Sequence, residues 1–203
     1  MMNKKALIIF LLLLTLSFGA NAKVRDYWSN DVRHVVSDVH YDAAGKPALN
    51  WYINAWTRDN KNAFYHISLD LYTSSSDDPA FTKSHKMLIK LNNDEVITIP
   101  VHYEASPKVT HNYDPVYHTQ STSYEHYYPG WRVSLETLQK ISTTGIKKVR
   151  IEHSKGYTDY NFDEKKSQKV TKSFTKMLNQ VTEQLEKDPP KKPTTVPKPS
   201  TEF

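Results

Sequence analysis

Between His34 and about Tyr103 apolar residues alternate with polar ones, and a period of two is the signature of half-buried strands. In Leu49 to Thr57, Trp51, Ile53 and Ala55 fall on one face while Asn50, Tyr52 and Asn54 fall on the other. In Ala63 to Thr73, Tyr65, Ile67, Leu69 and Leu71 oppose His66, Ser68 and Asp70. Such segments predict antiparallel strands with one wet face. Gly45-Lys46-Pro47 and Arg58 to Asn62 supply turns between them. The clearest hairpin runs from Met87 to Leu91, turns at Asn92-Asn93-Asp94, and returns through Glu95 to Ile99.

Beyond this block the pattern changes. Ser74 to Lys86 and Glu104 to Tyr117 are polar enough to predict loops, and His118 to Tyr128 alternates Thr, Ser, Tyr and His like an exposed strand. Ser134 is a good N-cap for a short helix with Leu135, Leu138 and Ile141 on its buried face, and Gly145 is placed to close it. Ile146 to Glu152 returns as a strand. From about Asp163 the period becomes helical: Val170, Phe174, Met177, Val181 and Leu185 trace one stripe. Lys165, Lys169, Lys172 and Lys176 form a basic stripe beside it, the ordinary solvated face of a helix docked on a sheet. The expected fold is α+β and mainly antiparallel β. About seven strands form a sandwich-like or curved sheet, with a short helix and a longer C-terminal amphipathic helix.

The ends of the chain define its organisation. Lys4 and Lys5 precede an apolar run from Ala6 to Leu16, and Ala20-Asn21-Ala22 is a small-residue cleavage site. Residues 1–22 are therefore expected to be a signal peptide, residues 23–187 a single β-rich domain, and residues 188–203 a disordered Pro- and Lys-rich tail. The export signal implies a periplasmic or extracellular protein. Its apolar run is shorter than the roughly 20 residues a membrane span needs, so no transmembrane span is expected after the signal is removed. With no cysteine there is no disulfide, thiolate nucleophile or Cys-held zinc, and stability must come from packing.

Charge points away from nucleic acid. Removing the signal leaves 25 basic against 22 acidic residues, a net +3. That excess lies wholly in the C-terminal helix and tail, so the stretch from Lys23 to Phe162 is formally neutral.

The hairpin Leu88 to Ile97, the turn at Tyr128-Pro129, the helix from Leu135 to Ile141 and the strand Gly145 to Glu152 resemble a pattern in small exported bacterial envelope proteins with no assigned activity. The resemblance implies a β-rich envelope protein and brings no functional residue with it.

His111, Asp114, His118 and His126 are of zinc-ligand type, but no His-Glu-x-x-His or helical i, i+4 pair is present. Hydrogen-bonded surface histidines account for them, and neither metal nor cofactor is expected. Asp70 with Glu125 or Glu152 offers a glycosidase pair whose spacing the sequence does not fix. No Gly-x-Ser-x-Gly supports a serine hydrolase. The strongest cluster is aromatic. Tyr113, Tyr117, Tyr124, Tyr127, Tyr128 and Trp131, with Tyr103 before them, lie beside Asn112, Asp114 and Glu125. Ring faces that stack on sugars, flanked by groups that take hydroxyls, suit glycan recognition, although tyrosines are also ordinary strand residues. The expectation is a non-enzymatic binding or interaction module of the envelope, with a glycan or envelope protein as partner. The alternative is an envelope hydrolase acting on glycan or peptide.

Overall fold

A computed structural model describes residues 24–42, 49–59 and 62–191. The proposed signal peptide and residues 192–203 of the tail lie outside the described residues, as does the Gly45-Lys46-Pro47 turn. The strands are β1 (Arg25–Ser29), β2 (Val32–Val36), β3 (His40–Asp42), β4 (Leu49–Thr57), β5 (Phe64–Leu69), β6 (Leu71–Tyr72) and β7 (Lys86–Leu91). They continue with β8 (Val96–Tyr103), β9 (Lys108–Asp114), β10 (Thr119–Tyr127), β11 (Gly130–Val133), β12 (Ile146–His153) and β13 (Gly156–Asn161). The helices are α1 (Leu135–Thr144) and α2 (Glu164–Glu186). No helix among the described residues is long and apolar enough to cross a membrane.

The fold is α+β and mostly antiparallel β, with more strands than the sequence pattern predicts. Ten strands form one sheet in the order β1-β2-β4-β5-β11-β8-β7-β12-β13, with β3 also pairing β4. A second sheet has the order β6-β10-β9. Some of the additional strands, β1 and β9 among them, bury little apolar surface, whereas β11 is short and sends Trp131 and Val133 into the core. The β1–β2 hairpin turns at Asn30 and Asp31, with φ of 48° and 63°, the left-handed pair that a two-residue hairpin turn requires. The segment read as a loop after Glu104 contains β9, whose side chains are almost all exposed, so that alternation leaves no hydrophobic trace.

One face of the large sheet builds the core. Trp51, Ile53 and Ala55 of β4 lie buried with Ile67 and Leu69 of β5, Trp131 of β11, Met87 and Ile89 of β7, and Val149 and Ile151 of β12. The 23-residue α2 lays Val170, Phe174, Met177 and Val181 into it, with Phe174 against Trp51 at 5.3 Å between ring centres. At 1.5 Å per residue α2 is about 34 Å long. It touches β2, β3 and β4 on one side and β12 on the other, so the strands between them bend away around the core and α2 bridges the two arms of a curved sheet.

Caps fix the helix ends. Ser134 Oγ accepts from Thr137 N at 3.1 Å, and Asp163 Oδ1 accepts from Lys166 N at 2.8 Å. Gly145 closes α1 with φ of 88°, and a Cβ there would lie 2.3 Å from Asn92 Nδ2. At the other end of α2, Arg33 is fully buried. It pairs in a fork with Asp26, at 3.0 and 2.8 Å, and donates to the carbonyl oxygens of Gln184, Leu185 and Lys187. A cation there meets the negative end of the helix dipole and satisfies carbonyls that have no intrahelical donor. Just beyond, Trp28 Nε1 donates to Pro190 O at 2.8 Å, so the start of the tail is held against β1.

Candidate binding cleft on the outer face of the sheet

The face of the large sheet turned away from α2 is wet at His102 and Arg132 but covered by rings over His66. Strand register places Tyr27, His34 and Trp56 side by side on it, followed by His66 of β5 and Arg132 of β11, which are direct partners. A bulge between β11 and β8 extends the row. Tyr103 stands opposite Gly130 and Val101 opposite Trp131, leaving His102 as the extra residue. As a result both His102 and Tyr103 reach His66, at 5.3 and 4.9 Å between ring centres. Gly130 makes room for this: a Cβ at that position would lie 3.0 Å from Tyr103 Cδ2 and 3.3 Å from Ser68 Oγ.

The rings form a continuous stack across the strands. Tyr27 lies on His34 at 5.1 Å and nearly parallel to it, His34 meets Trp56 at 5.4 Å, Trp56 stacks on His66 at 4.6 Å, and Trp56 meets Tyr103 at 4.7 Å. Arg132 lies over the Phe64 ring at 4.2 Å. Around His66, the side chains of Trp56, Phe64, His102, Tyr103 and Arg132 line a cleft of about 550 Å³, with Arg58 and Asp59 at the loop after β4. That volume falls in the range of small-ligand sites.

His66 is only 1 % exposed, yet neither ring nitrogen has a hydrogen-bond partner among the described residues. Burial, with His102 and Arg132 nearby, brings its pKa down from 6.5 to about 4, so the ring is neutral at pH 7. A neutral imidazole offers one donor and one acceptor. Its neighbours are in the same condition. Among the described residues seven buried side-chain polar atoms have no partner, and five are on this face: both His66 nitrogens, Trp56 Nε1 and Asn54 Oδ1 together, and Asn50 Oδ1 further along β4. Buried polar groups are normally paired, so their concentration in one place needs an explanation.

The tyrosine-rich segment named in the sequence analysis lies elsewhere and is divided. Tyr113 and Tyr124 are exposed on the β9–β10 hairpin and Tyr117 on the turn between them, while Tyr128 is half exposed where the chain leaves β10. Tyr127 and Trp131 face the core, where Tyr127 donates to Pro79 O and Trp131 packs edge-on to Phe81. His126 stacks on Tyr128 and also meets Tyr72 edge-on. The hairpin histidines all have partners: His111 with Thr122, His118 with Tyr113, and His126 with Asp70 at 2.6 Å. Among the described residues no group of three or more His, Asp or Glu side chains could hold a metal.

The carboxylates considered for hydrolysis do not share the cleft. Asp70 binds His126, Glu125 alternates to the opposite side of β10 from His126, and Glu152 accepts from Lys86 N on β7. Asp59, the acid lining the cleft, is tied to Thr57 and Asn62.

The sequence analysis missed Trp56, His66, His102 and Arg132 as a site because they come from four separate strands. The signal that could have found them is the placement of His66 on a strand whose opposite face is wholly apolar. Comparison of the chain with protein families, with curated proteins and with solved structures finds no match.

Proposed function

We propose that this chain is an exported, non-enzymatic binding module of the envelope and that the cleft over His66 receives a glycan. Export rests on the sequence of residues 1–22. The observation that carries the ligand reading is the set of four unpaired buried polar atoms on Asn54, Trp56 and His66, beside the rings of Trp56 and Tyr103. Sugars present apolar ring faces and hydroxyls that both donate and accept, which answers both halves of that surface. Titrating cell-wall fragments and N-acetylglucosamine oligomers into the full chain and into Trp56→Ala tests the reading. Binding that the variant loses supports it, and absence of binding by any glycan at millimolar concentration overturns it.

The β9–β10 hairpin favours a second reading. Beyond its short pairing with β6 it leaves the backbone edges of both strands free, with Tyr113, Tyr117 and Tyr124 outward. Such an arm suits contact with an envelope protein through strand addition. A Tyr113, Tyr117 and Tyr124 to Ser variant that loses site-specific crosslinks formed in cells would favour that role.

A further inference from the structure

We propose that the glycan bound over His66 carries a carboxylate, which Arg132 takes with help from Arg58. This inference rests on the glycan reading above and adds the charge of the ligand. Arg132 is exposed at the cleft mouth and fixed in place by the Phe64 ring beneath it. Among the described residues neither it nor Arg58 forms a salt bridge, whereas Arg33, Arg150 and five of the lysines do. Asp59 is held by its own loop at Thr57 and Asn62. Among the described residues the cleft therefore has two guanidinium groups at its rim and one carboxylate, over a floor of packed rings.

That arrangement fits a ring-bearing anion better than a neutral sugar. A guanidinium fork matches the two oxygens of a carboxylate, and charge-assisted hydrogen bonds are about twice as strong as neutral ones. Register sets the geometry: Arg132 is the direct strand partner of His66, so a carboxylate on Arg132 leaves the attached ring over His66, Trp56 and Tyr103. For His66 to supply a donor and an acceptor to ring hydroxyls, and Trp56 Nε1 a second donor, the rings that cover these nitrogens must part on binding. No bond is made or broken.

The test compares galacturonic acid oligomers with their methyl esters, which keep the ring and lose the charge, and with neutral N-acetylglucosamine oligomers, all titrated into the full chain. The acid is expected to bind about tenfold more tightly than the ester, with Arg132→Gln and Arg58→Gln together removing that difference. Arg132→Lys, which keeps charge without the fork, should recover only part of it. Both arginines are exposed, and circular dichroism of each variant confirms that the fold persists. Equal or tighter binding of the ester overturns the inference while leaving the glycan reading intact. An acid preference that survives both arginine substitutions also overturns it. Failure of acid, ester and N-acetylglucosamine oligomers alike overturns both readings.

Discussion

Arg33 and His66 sit on opposite faces of the same curved sheet, each almost completely buried, and their surroundings treat them in opposite ways. Arg33 meets two oxygens of Asp26 and three main-chain carbonyls of the α2 terminus, so its charge is compensated from every side. His66 stacks on Trp56 and meets Tyr103 at a tilt, and among the described residues neither of its nitrogens has a hydrogen-bond partner. Leaving a buried donor or acceptor unpaired costs about 1–3 kcal/mol. A fold able to satisfy Arg33 so completely has the means to satisfy an imidazole. On the proposed reading, the difference separates a polar group that serves the fold from one that serves a ligand.

This contrast breaks most severely at Arg33. Arg33→Met should cost about 3–5 kcal/mol in denaturant unfolding, because Asp26 is left buried without its partner and the α2 carbonyls lose their donors. The measured cost should come with glycan affinity unchanged, since the cleft is on the other face. A loss below about 1 kcal/mol would mean that the two residues are alike.

Acid should act mainly through His66. Its folded pKa is about 4 against an ordinary 6.5, so between these values the unfolded chain binds the extra proton. Stability is complete above about pH 6.5 and falls as pH drops toward 4, by about 3 kcal/mol from this residue. His34 and His153, both also lowered by burial, add to the loss with the same sign. Asp26 contributes only at lower pH. Its burial opposes ionisation, but hydrogen bonds from Arg33 and Gln184 and the Arg33 charge outweigh that and hold its pKa below 3.8. Equilibrium unfolding at a series of pH values should therefore slope between pH 6.5 and 4, and the slope should flatten in His66→Phe.

At neutral pH the same His66→Phe change should raise stability by about 1 kcal/mol, since it removes two unpaired nitrogens and keeps a flat ring, while abolishing binding. Gly130→Ala should lower stability by about 1 kcal/mol and weaken binding, because the new Cβ displaces Tyr103. The smallest effect belongs to the hairpin. Tyr113, Tyr117 and Tyr124 to Ser should each change unfolding free energy by less than about 0.5 kcal/mol and leave glycan binding intact.

What the sequence makes legible follows from which interactions are local. The alternation in β4 and β5, the Asn92–Asp94 hairpin, the Ser134 and Gly145 caps and the α2 stripe all depend on neighbours within a few residues, and all are present in the fold. The α2 face is wider than its heptad-like stripe suggests, since Leu178 is buried beside Met177. The β9 strand is invisible because both its faces are polar, and a strand defined by backbone pairing alone leaves no periodic signal.

The cleft was hidden for a different reason. The direct opposition of His66 and Arg132 depends on β11 inserting between β5 and β8, an order that no local pattern encodes. The approach of His102 depends on one bulged residue. Composition drew attention instead to the densest run of tyrosines, where nearness in sequence does not become nearness in space: Tyr127 and Trp131 turn inward and Tyr113 and Tyr117 stand on the hairpin.

The most direct test of the contrast between the two buried groups is a nitrogen NMR titration of the full chain with galacturonic acid oligomers, following the His66 imidazole and the Arg33 guanidinium together. The account predicts that the His66 nitrogens shift as they gain partners while the Arg33 signals stay where they are. Unchanged His66 nitrogens at saturating oligomer would contradict it, because the unpaired ring would then have no part in binding.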